Sequence, residues 1–322
     1  MLTRDGQVRK ILRKQQQKAK CTVNKNITLY AVQKKAVQLT FHRCDGSTWQ
    51  KTTLAKGSSY SLPGVRDAEG YTFMGWSTKP MQSVSPQYEA EEKITVNGNV
   101  DLYAVVFNRT TETDLTEDQL PQVDIYKYKQ VIFVGDSRTE FMENVLTGMG
   151  ESATKNVKFV CSAGKGLDWF TTTGWAQLYS IVQHDSNSIL SKKTAVIFNF
   201  GVNDLSKSAD YAEYYNWIAP QLKSKGCELY FMSVNPVNRL MLSNAGRADR
   251  SEAAVRSFNQ YMKTNLSSAY TYIDMYSYLK STGYSFASDH YGTGTVDDGL
   301  HYTTRTYKRI FAKCMDSLRV PA

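Results

Sequence analysis

A serine that follows an apolar run, and a histidine close to a carboxylate, are the residues of this sequence best suited to chemistry. Ser137 ends the tripeptide Gly-Asp-Ser, which comes directly after the apolar residues 131–134. Asp298 and His301 lie three residues apart near the C-terminus. A serine hydroxyl is a weak nucleophile until a base takes its proton, and a carboxylate holds a histidine in the tautomer that can do so. The pattern therefore predicts Ser137 as nucleophile, His301 as base and Asp298 as the residue that orients the base.

Two other polar groups follow apolar runs and offer hydrogen-bond donors for a tetrahedral oxyanion. One is Cys-Ser-Ala-Gly-Lys-Gly, which contains Gly164 and Gly166, and the other is Gly-Val-Asn-Asp, which contains Asn203. A glycine lets the backbone approach a substrate without an intervening Cβ atom, and an amide side chain donates directly. We therefore expect an oxyanion hole made by the N–H of Ser137, the amide of Asn203 and one glycine N–H. Gly164 is preferred because it follows its strand directly, and Gly166 is the alternative.

Three residues near these motifs are candidates for substrate contacts. Arg138 follows the predicted nucleophile and can meet an acidic group of a substrate, although a structural or solvent-facing arginine is an equal alternative. Trp169 can stack on a sugar ring, but a tryptophan at a helical position is more often part of the core. Asn235 follows the fourth apolar run and is expected to line the cleft.

Five apolar runs after residue 129 alternate with longer stretches of helical spacing. The runs are QVIFVG, VKFVCSA, TAVIFNF, ELYFMSV and TYIDM, and the helical stretches cover residues 138–149, 168–184, 208–225, 250–267 and 303–318. This alternation predicts an α/β fold in which helices cover both faces of a parallel sheet. Ligands bind beyond the carboxyl ends of the strands in such sheets, where the polar groups described above are expected. Asp298 and His301 are expected in a loop.

The four polar groups, in this order, resemble the motifs of the SGNH (GDSL-type) hydrolase family. The resemblance covers residues 129–322: Gly-Asp-Ser comes first, a glycine second, Gly-x-Asn-Asp third and Asp-x-x-His last. It implies a flavodoxin-like three-layer α/β/α sandwich and ester hydrolysis that needs neither a metal nor another cofactor. It also implies the roles given above for the serine, histidine, aspartate and asparagine. The second motif contains two glycines, so the identity of the glycine donor stays open.

The first third of the chain contains an internal repeat. Asn-Ile-Thr-Leu-Tyr-Ala-Val at 26–32 recurs as Asn-Val-Asp-Leu-Tyr-Ala-Val at 99–105, and the aromatic segment GYTFMGWS lies between the two copies. This part resembles the Listeria–Bacteroides repeat, the B-repeat of internalin-like surface proteins, which implies a small β-grasp-like module. We assign residues 1–37 to a basic segment with a remnant of a preceding repeat, 38–107 to the repeat, 108–128 to a linker and 129–322 to the hydrolase domain.

The predicted linker is polar and acidic and contains Pro121, as is typical of a connection between independent domains. We therefore expect the hydrolase part to work without the repeat, which would serve as a spacer or an attachment module. Tyr71, Phe73 and Trp76 are expected to form the repeat's own core.

The net charge of +9 is confined to one end of the chain. Residues 1–37 hold ten basic residues and one acidic residue, and the remaining residues hold equal numbers of each. The globular part is thus neutral, which argues against nucleic acid as a partner, whereas the basic end suits contact with an anionic wall polymer or membrane surface. No apolar stretch is long enough to span a membrane. The five cysteines include no Cys-x-x-Cys pair and predict neither a metal site nor a disulfide framework.

The N-terminus lacks the apolar region of a signal peptide, so the chain is expected to be either cytoplasmic or a fragment of a longer protein. The repeat favours a fragment of an extracellular or surface protein of a bacterium. Family analogy then implies a serine esterase for small acyl esters, with O-acetyl groups on a carbohydrate as the expected substrate. One alternative is a lipase or thioesterase, against which the lack of a long apolar lid segment counts. The other is a non-catalytic glycan-binding adhesin, against which the complete set of catalytic residue types counts.

Overall fold

A computed structural model describes residues 34–124, 127–185, 193–242, 250–288 and 297–318. Most of the predicted basic segment, with the repeat remnant, lies outside the described residues. The chain divides into two compact units, Met1–Lys35 and Ala36–Ala322, and the second unit contains both the repeat and the hydrolase part. No helix in the described part of the chain is long and apolar enough to cross a membrane.

The repeat consists of two small sheets. Strands β1 (Ala36–His42), β2 (Thr48–Ala55), β4 (Tyr71–Ser77) and β6 (Val100–Asn108) form one sheet in the order β2-β1-β6-β4. β1 and β6 are parallel neighbours in its middle, and β2 and β4 pair antiparallel with them at the edges. β3 (Ser58–Ser61) and β5 (Lys93–Val96) form a separate antiparallel pair. This mixed sheet agrees with the predicted β-grasp-like module, although residues 36–108, all of which are described, contain no α-helix.

The core of the repeat contains two of its three predicted aromatic residues. Phe73 and Trp76 are buried together with Leu39, Phe41 and Leu102. Tyr71, in contrast, is 43% exposed, so the expectation that it belongs to the core is wrong.

Five parallel strands form the sheet of the hydrolase part. They are β7 (Tyr128–Gly135), β8 (Val157–Cys161), β9 (Lys193–Asn199), β10 (Cys227–Met232) and β11 (Tyr270–Ile273). Their order in the sheet is β11-β10-β9-β7-β8, and every pairing is parallel. This is the flavodoxin-like order, in which the direction of winding changes beside the first strand. Ligands bind next to such a change, at the carboxyl ends of the strands, and Ser137 follows β7 there.

Helices cover both faces of this sheet. They are α1 (Ser137–Met149), α2 (Glu151–Thr154), α3 (Leu167–Trp169), α4 (Trp175–Asp185), α5 (Ser208–Ser224), α6 (Glu252–Asn265), α7 (Met275–Thr282) and α8 (Thr304–Ser317). A π-helical turn at Phe170–Gly174 joins α3 to α4. Apolar side chains of α4, α5 and α6 pack on one face of the sheet, and those of α1, α7 and α8 pack on the other. Ile132 and Val134 of β7 face the first cluster, while Val131 and Phe133 face the second, because successive residues of a strand point to opposite faces.

The predicted α/β sandwich with a parallel sheet is thus confirmed, and each of the five apolar runs is a strand of that sheet. The sequence pattern does not predict every element, and two of those that it misses matter below. One is α7, which follows β11 after Asp274 alone, and the carboxylate of Asp274 caps this helix. The other is β13 (Asp297–Tyr302), which pairs with β12 (Phe286–Ser288) and carries Asp298 and His301. The expectation of a loop was wrong because the strand contains aspartates and a glycine, which are residue types depleted in strands.

The repeat and the hydrolase part share one hydrophobic cluster. Met74, Val105 and Phe107 of the repeat are buried in the same cluster as side chains of α1, α7 and α8. Leu120 and Val123, in the segment predicted as a polar linker, are buried in it too. Two side chains therefore anchor this segment, most of whose other residues are exposed, and the two parts meet through a common core.

Charged side chains are also buried where the two parts meet. Lys280 of α7 is 5% exposed, and its Nζ donates to the carbonyl of Met74 at 2.5 Å and lies 2.8 Å from the carboxylate of Glu89. Glu112, which follows β6, is 3.0 Å from the guanidinium of Arg309 in α8. A buried charge that loses its partner destabilises a protein strongly. Removal of the residues on the repeat side would leave Lys280 without Glu89 and Arg309 without Glu112.

Gly283 provides a test of the close contact between the two parts. It follows α7 with a φ of +82°, and a Cβ atom there would lie 2.3 Å from the ring of Phe107. Gly283→Ala should destabilise the protein by about 1–3 kcal/mol, because a φ of 82° with a ψ of 163° is a backbone conformation that essentially only glycine adopts. Overpacking against the ring should add about 1–3 kcal/mol. Urea unfolding measures the change in the free energy of unfolding.

Gly226→Ala is the matched control for this substitution. Gly226 has a φ of +77°, but a Cβ atom there would meet no other atom within 4 Å, so only the backbone cost is expected. Equal losses in the two variants would contradict the close packing of Phe107 on α7.

Candidate active site

A tight turn between β7 and α1 fixes Ser137 at the carboxyl edge of the sheet. β7 ends at Gly135, where a Cβ atom would lie only 2.0 Å from Thr139 Oγ1, so the helix can start this close to the strand only with glycine. Asp136 is the N-cap of α1, and its carboxylate accepts the N–H of Arg138 at 3.0 Å. Ser137 is then the first helical residue, and it is buried.

Strand β13 brings Asp298 and His301 to this serine. His301 Nε2 lies 2.9 Å from Ser137 Oγ, and His301 Nδ1 lies 2.5 Å from Asp298 Oδ2. The other carboxylate oxygen of Asp298 accepts the backbone N–H groups of Leu300 and His301 at 2.8 and 2.7 Å. The three side chains are buried and form one chain of hydrogen bonds. With its Nδ1 proton directed at the carboxylate, the imidazole presents the accepting lone pair of Nε2 to the serine.

The surroundings of Asp298 favour its ionised form. Burial alone would raise the pKa of this carboxyl group, but the hydrogen bond and charge interaction with His301 oppose that effect. Together with the two backbone hydrogen bonds, they hold the pKa of Asp298 below its ordinary value. The carboxylate is therefore charged at neutral pH and can stabilise a protonated imidazole.

The loop after β8 is anchored by two carboxylates and contains both candidate glycines. Glu140 and Asp204 accept backbone N–H groups on either side of the glycines, at 2.6 and 2.9 Å. Gly164 has a φ of +71°, which only glycine adopts readily. Gly166 lies so close to Asp204 that a Cβ atom would be 2.3 Å from its Oδ2. Both positions thus require glycine, for different reasons, and the choice between them as oxyanion donor stays open.

Asn203 lies in the turn after β9, and its amide makes two hydrogen bonds. Nδ2 donates to the carbonyl of Lys165, between the two glycines, at 2.7 Å. Oδ1 accepts from Nη2 of Arg250 at 2.8 Å, and the same guanidinium donates to the carbonyl of Val202 at 3.0 Å. These contacts fix which end of the amide is the donor and place it against the glycine loop. A primary amide carries two protons on Nδ2, so one remains for a substrate oxygen.

Arg138 does not lie at the rim of the site. It is 2% exposed, and its guanidinium donates to the carbonyl oxygens of Asn235, Pro236 and Leu300 at 3.0–3.1 Å. The guanidinium also lies over the ring of Tyr302, 5.4 Å from its centre. The expectation that Arg138 meets an acidic group of a substrate does not hold, because its donors are engaged by backbone carbonyls. The structural alternative fits the arrangement.

The other two rim candidates also face inward. Trp169 is half-buried and packs on Phe200 in the hydrophobic cluster of α4, α5 and α6, with ring centroids 6.1 Å apart. Asn235 is buried, and no hydrogen-bond partner of its Oδ1 occurs among the described residues. Trp169 therefore serves the core, as the alternative to sugar stacking predicts, and Asn235 contributes its carbonyl to Arg138.

Three residues that the sequence does not single out support the site. Arg250 holds Asn203, Glu140 holds the glycine loop, and the ring of Phe141 contacts His301 edge-on with centroids 4.5 Å apart. Arg250 and Asn203 are 47 residues apart, so no local pattern joins them. Only Glu140 carries a local signal, as the acidic residue in the first turn of α1. No group of three His, Cys, Asp or Glu side chains suited to a metal ion occurs within the described ranges.

Residues 38–105 match the family model of the Listeria-Bacteroides repeat domain. The predicted repeat is therefore confirmed. No curated protein matches the chain at a significant level.

Solved structures that resemble the chain carry names of acylhydrolases and esterases. A Bacteroides fragilis protein assigned as an acylhydrolase is 17% identical, with coverage of 62% of this chain and 92% of that one and a TM-score of 0.39. A Slackia heliotrinireducens protein assigned to the SGNH hydrolases is 13% identical, with coverages of 60% and 100% and a TM-score of 0.40. An acetyl xylan esterase is 11% identical, with coverages of 59% and 100% and a TM-score of 0.39. The fold is assigned from the strand order of the sheet.

The stability of the turn before Ser137 depends on pH because Asp136 titrates. Burial raises the pKa of this carboxyl group from 3.8 to about 6, against the opposing charge of Arg138. Because the folded state holds the proton more tightly, the stability that this group contributes is complete below pH 3.8 and is lost as the pH rises through about 6.

Asp136→Asn keeps the capping oxygen but cannot ionise. Relative to the wild type, the free energy of unfolding of this variant should therefore rise by up to about 3 kcal/mol between pH 4 and pH 7. Urea titrations of both proteins across this range measure the difference, in which the other titrating groups cancel. A difference that stays constant with pH would show that Asp136 does not titrate in this window.

Proposed function

We propose that the chain is a serine hydrolase that cleaves small acyl esters. The observation that carries this proposal is the chain of hydrogen bonds from Ser137 through His301 to Asp298, with distances of 2.9 and 2.5 Å. These groups lie at the carboxyl edge of a flavodoxin-like sheet, where such folds place their sites. A nucleophile, a base and a carboxylate that orients the base are the groups needed for acyl transfer.

In the first half of the reaction, Ser137 Oγ bonds to the carbonyl carbon of the ester while His301 Nε2 takes the hydroxyl proton. The carbonyl π electrons move onto oxygen, and Asp298 stabilises the imidazolium through Nδ1. When the tetrahedral intermediate collapses, the bond to the alcohol breaks and the alcohol leaves with the proton from Nε2. The acyl group remains on Ser137.

In the second half, water takes the place of the serine hydroxyl. His301 removes a proton from the water as the oxygen bonds to the acyl carbon, and then returns the proton to Ser137 Oγ as the carboxylic acid leaves. The enzyme is regenerated, so that one ester and one water give one alcohol and one acid.

Three donors are proposed to stabilise the oxyanion in both halves: the N–H of Ser137, a glycine N–H of the loop after β8, and Nδ2 of Asn203. The hydrogen bond from Arg250 to Asn203 Oδ1 keeps the amide nitrogen turned toward the glycine loop. Donors held in place before the reaction stabilise the developing charge without reorganisation. Arg250 therefore acts through Asn203.

The substrate is proposed to be a carbohydrate that carries O-acetyl groups, outside the cell or at its surface. The acetyl group and the sugar follow from the resemblance of the motifs to SGNH hydrolases, and the location follows from the repeat, which occurs in bacterial surface proteins. Attachment to the cell wall through the repeat and the basic residues 1–37 is part of the same proposal.

The wild type should release acetate from p-nitrophenyl acetate, and more slowly release longer acyl chains from the corresponding esters. Ser137→Ala and His301→Ala should each lower kcat by roughly 10³-fold or more, and the double variant should lose little beyond that because the residues act as one unit. His42→Ala, in the repeat, is the matched histidine control and should keep wild-type turnover. Faster cleavage of long-chain esters or thioesters would indicate the lipase or thioesterase alternative, and near-native turnover in Ser137→Ala would refute the mechanism.

Asn203→Ala should lower kcat by about 10²-fold or more with little change in KM, because an oxyanion donor acts in the transition state. Asn216→Ala is a suitable control, since the amide of Asn216 donates to the carbonyl of Asn265, which belongs to none of the catalytic turns. Steady-state kinetics with a small soluble ester measure both constants. A loss confined to KM would instead assign Asn203 to substrate binding.

A further inference from the structure

Asn238 links the repeat to β13, the strand that carries Asp298 and His301, because its side chain is bonded to the repeat and its backbone N–H to Gly299. We infer that Asn238 is a positioning residue, which couples residues 65–67 of the repeat to Asp298 and His301. The inference rests on the proposed function for its catalytic readout. It departs from the expectation that the repeat is only a spacer, because it makes the repeat a part of the catalytic unit.

On one side, Asn238 is bonded to the repeat. Its Nδ2 donates to the carbonyl of Val65 at 3.0 Å and to Oδ1 of Asp67 at 2.9 Å. Two residues further along, the carbonyl of Leu240 accepts a hydrogen bond from the guanidinium of Arg66. Three consecutive residues of the repeat thus bind the segment that follows β10.

Asp67 is itself held firmly by the repeat. Its side chain is completely buried, and Oδ2 lies 2.7 Å from the guanidinium of Arg109 at the end of β6. Oδ1 accepts the backbone N–H of Phe73 in β4 at 3.0 Å as well as the amide of Asn238. The carboxylate is therefore fixed to two strands of the sheet, so the amide of Asn238 is bonded to a rigid acceptor.

On the other side, the backbone of Asn238 is bonded to β13. Its N–H donates to the carbonyl of Gly299 at 2.8 Å. Gly299 has a φ of +68°, and a Cβ atom there would lie 2.5 Å from the carbonyl oxygen of Asn238, so the two backbones are in close contact. Gly299 directly follows Asp298, whose carboxylate accepts the next two backbone N–H groups. A displacement at residue 238 therefore moves the peptide units that orient the carboxylate.

The same segment is fixed from the nucleophile side. Arg138, next to Ser137, donates to the carbonyls of Asn235 and Pro236 at 3.0 and 3.1 Å. Residues 235–238 thus lie between the turn that carries the nucleophile and the repeat. When the amide of Asn238 no longer binds Asp67, residue 238 loses its side-chain hold on the repeat, whereas Leu240 stays bonded to Arg66 and residues 235–236 stay bonded to Arg138. The expected result is a change in the position of Asp298 and His301 relative to the serine.

Asn238→Ala in the full chain tests the inference. We expect kcat to fall about tenfold or more with KM within about twofold, because the change alters catalytic geometry and not substrate contacts. Turnover is expressed per site reactive toward a fluorophosphonate probe, so that unfolded molecules do not lower kcat. A double-mutant cycle with Asp67→Ala should give losses in kcat that are far from additive, as expected of two residues that act through one hydrogen bond.

Hydrogen exchange gives a readout that does not depend on activity. The N–H groups of Leu300 and His301, which are bonded to Asp298, should exchange faster in Asn238→Ala, as measured by mass spectrometry of peptides that span residues 298–303. The proposed function fails if the wild type cleaves no ester or Ser137→Ala stays active. In that case the exchange of these N–H groups still decides whether Asn238 positions residues 298–301 of β13.

Asp114→Ala is the matched control. Asp114, which follows the repeat, binds the hydrolase part through Lys308 at 2.7 Å, and within the described ranges its ion pairs are with Lys308 and Arg305 of α8. It should leave kcat and the exchange of residues 298–303 at wild-type values. Should Asn238→Ala fail to fold, Asn238→Asp replaces it, because this variant has the same shape and keeps the acceptor for the N–H of Leu240 while losing both donors. The inference is overturned if the Asn238 variant keeps wild-type kcat and exchange, or if Asp114→Ala changes them equally.

Discussion

The arrangement around Ser137 depends on the hydrogen bonds that the buried guanidinium of Arg138 makes to backbone carbonyls. Arg138 adjoins the serine in sequence, and it binds carbonyl oxygens from the segment after β10 and from β13. A guanidinium carries five N–H donors in one rigid plane, so its acceptors must keep a fixed geometry around it. A shift of either segment would leave a buried donor unsatisfied, at a cost of roughly 1–3 kcal/mol or more for a charged group. Three stretches of chain that are distant in sequence are therefore held in one arrangement.

Buried charge also joins the repeat to the hydrolase part. Burial alone would lower the pKa of Lys280, but the carboxylates of Glu252 and Glu89 hold it above its ordinary value. The ammonium group is therefore charged although α7 and the repeat enclose it. One of its two carboxylates belongs to each part of the protein, so the ion pair is complete only when both are present. Paired charges of this kind contribute little net stability, but an arrangement that kept the ammonium buried without one of its carboxylates would be strongly unfavourable.

The five strands and most helices could be predicted from the sequence, because hydrophobic periodicity is a local property of each segment. The roles of Ser137 and His301 could also be predicted, from their residue types and from the order of the motifs, but not how the fold brings into contact two residues that are 164 positions apart. That contact follows from the order of strands in the sheet and from the position of β13. The sequence does not predict β13 as a strand, because it contains aspartates and a glycine. The role of Arg138 could not be predicted either, since nothing local shows that its partners are distant carbonyls. The burial of Leu120 and Val123 could not be predicted either, because residues 108–128 are polar on average.

The parallel pairing of β1 with β6 has a mechanical consequence. The chain enters the repeat at the start of β1 and leaves it at the end of β6, and the two strands pair side by side from Leu39 with Val100 to His42 with Tyr103. Because neighbouring parallel strands place these two points at opposite ends of the pair, tension along the chain pulls the strands past each other. Their hydrogen bonds are then loaded in shear, all together, instead of opening one at a time as in a hairpin pulled at its open end. The repeat is thus built to resist extension when force acts between its N-terminal side and the hydrolase part.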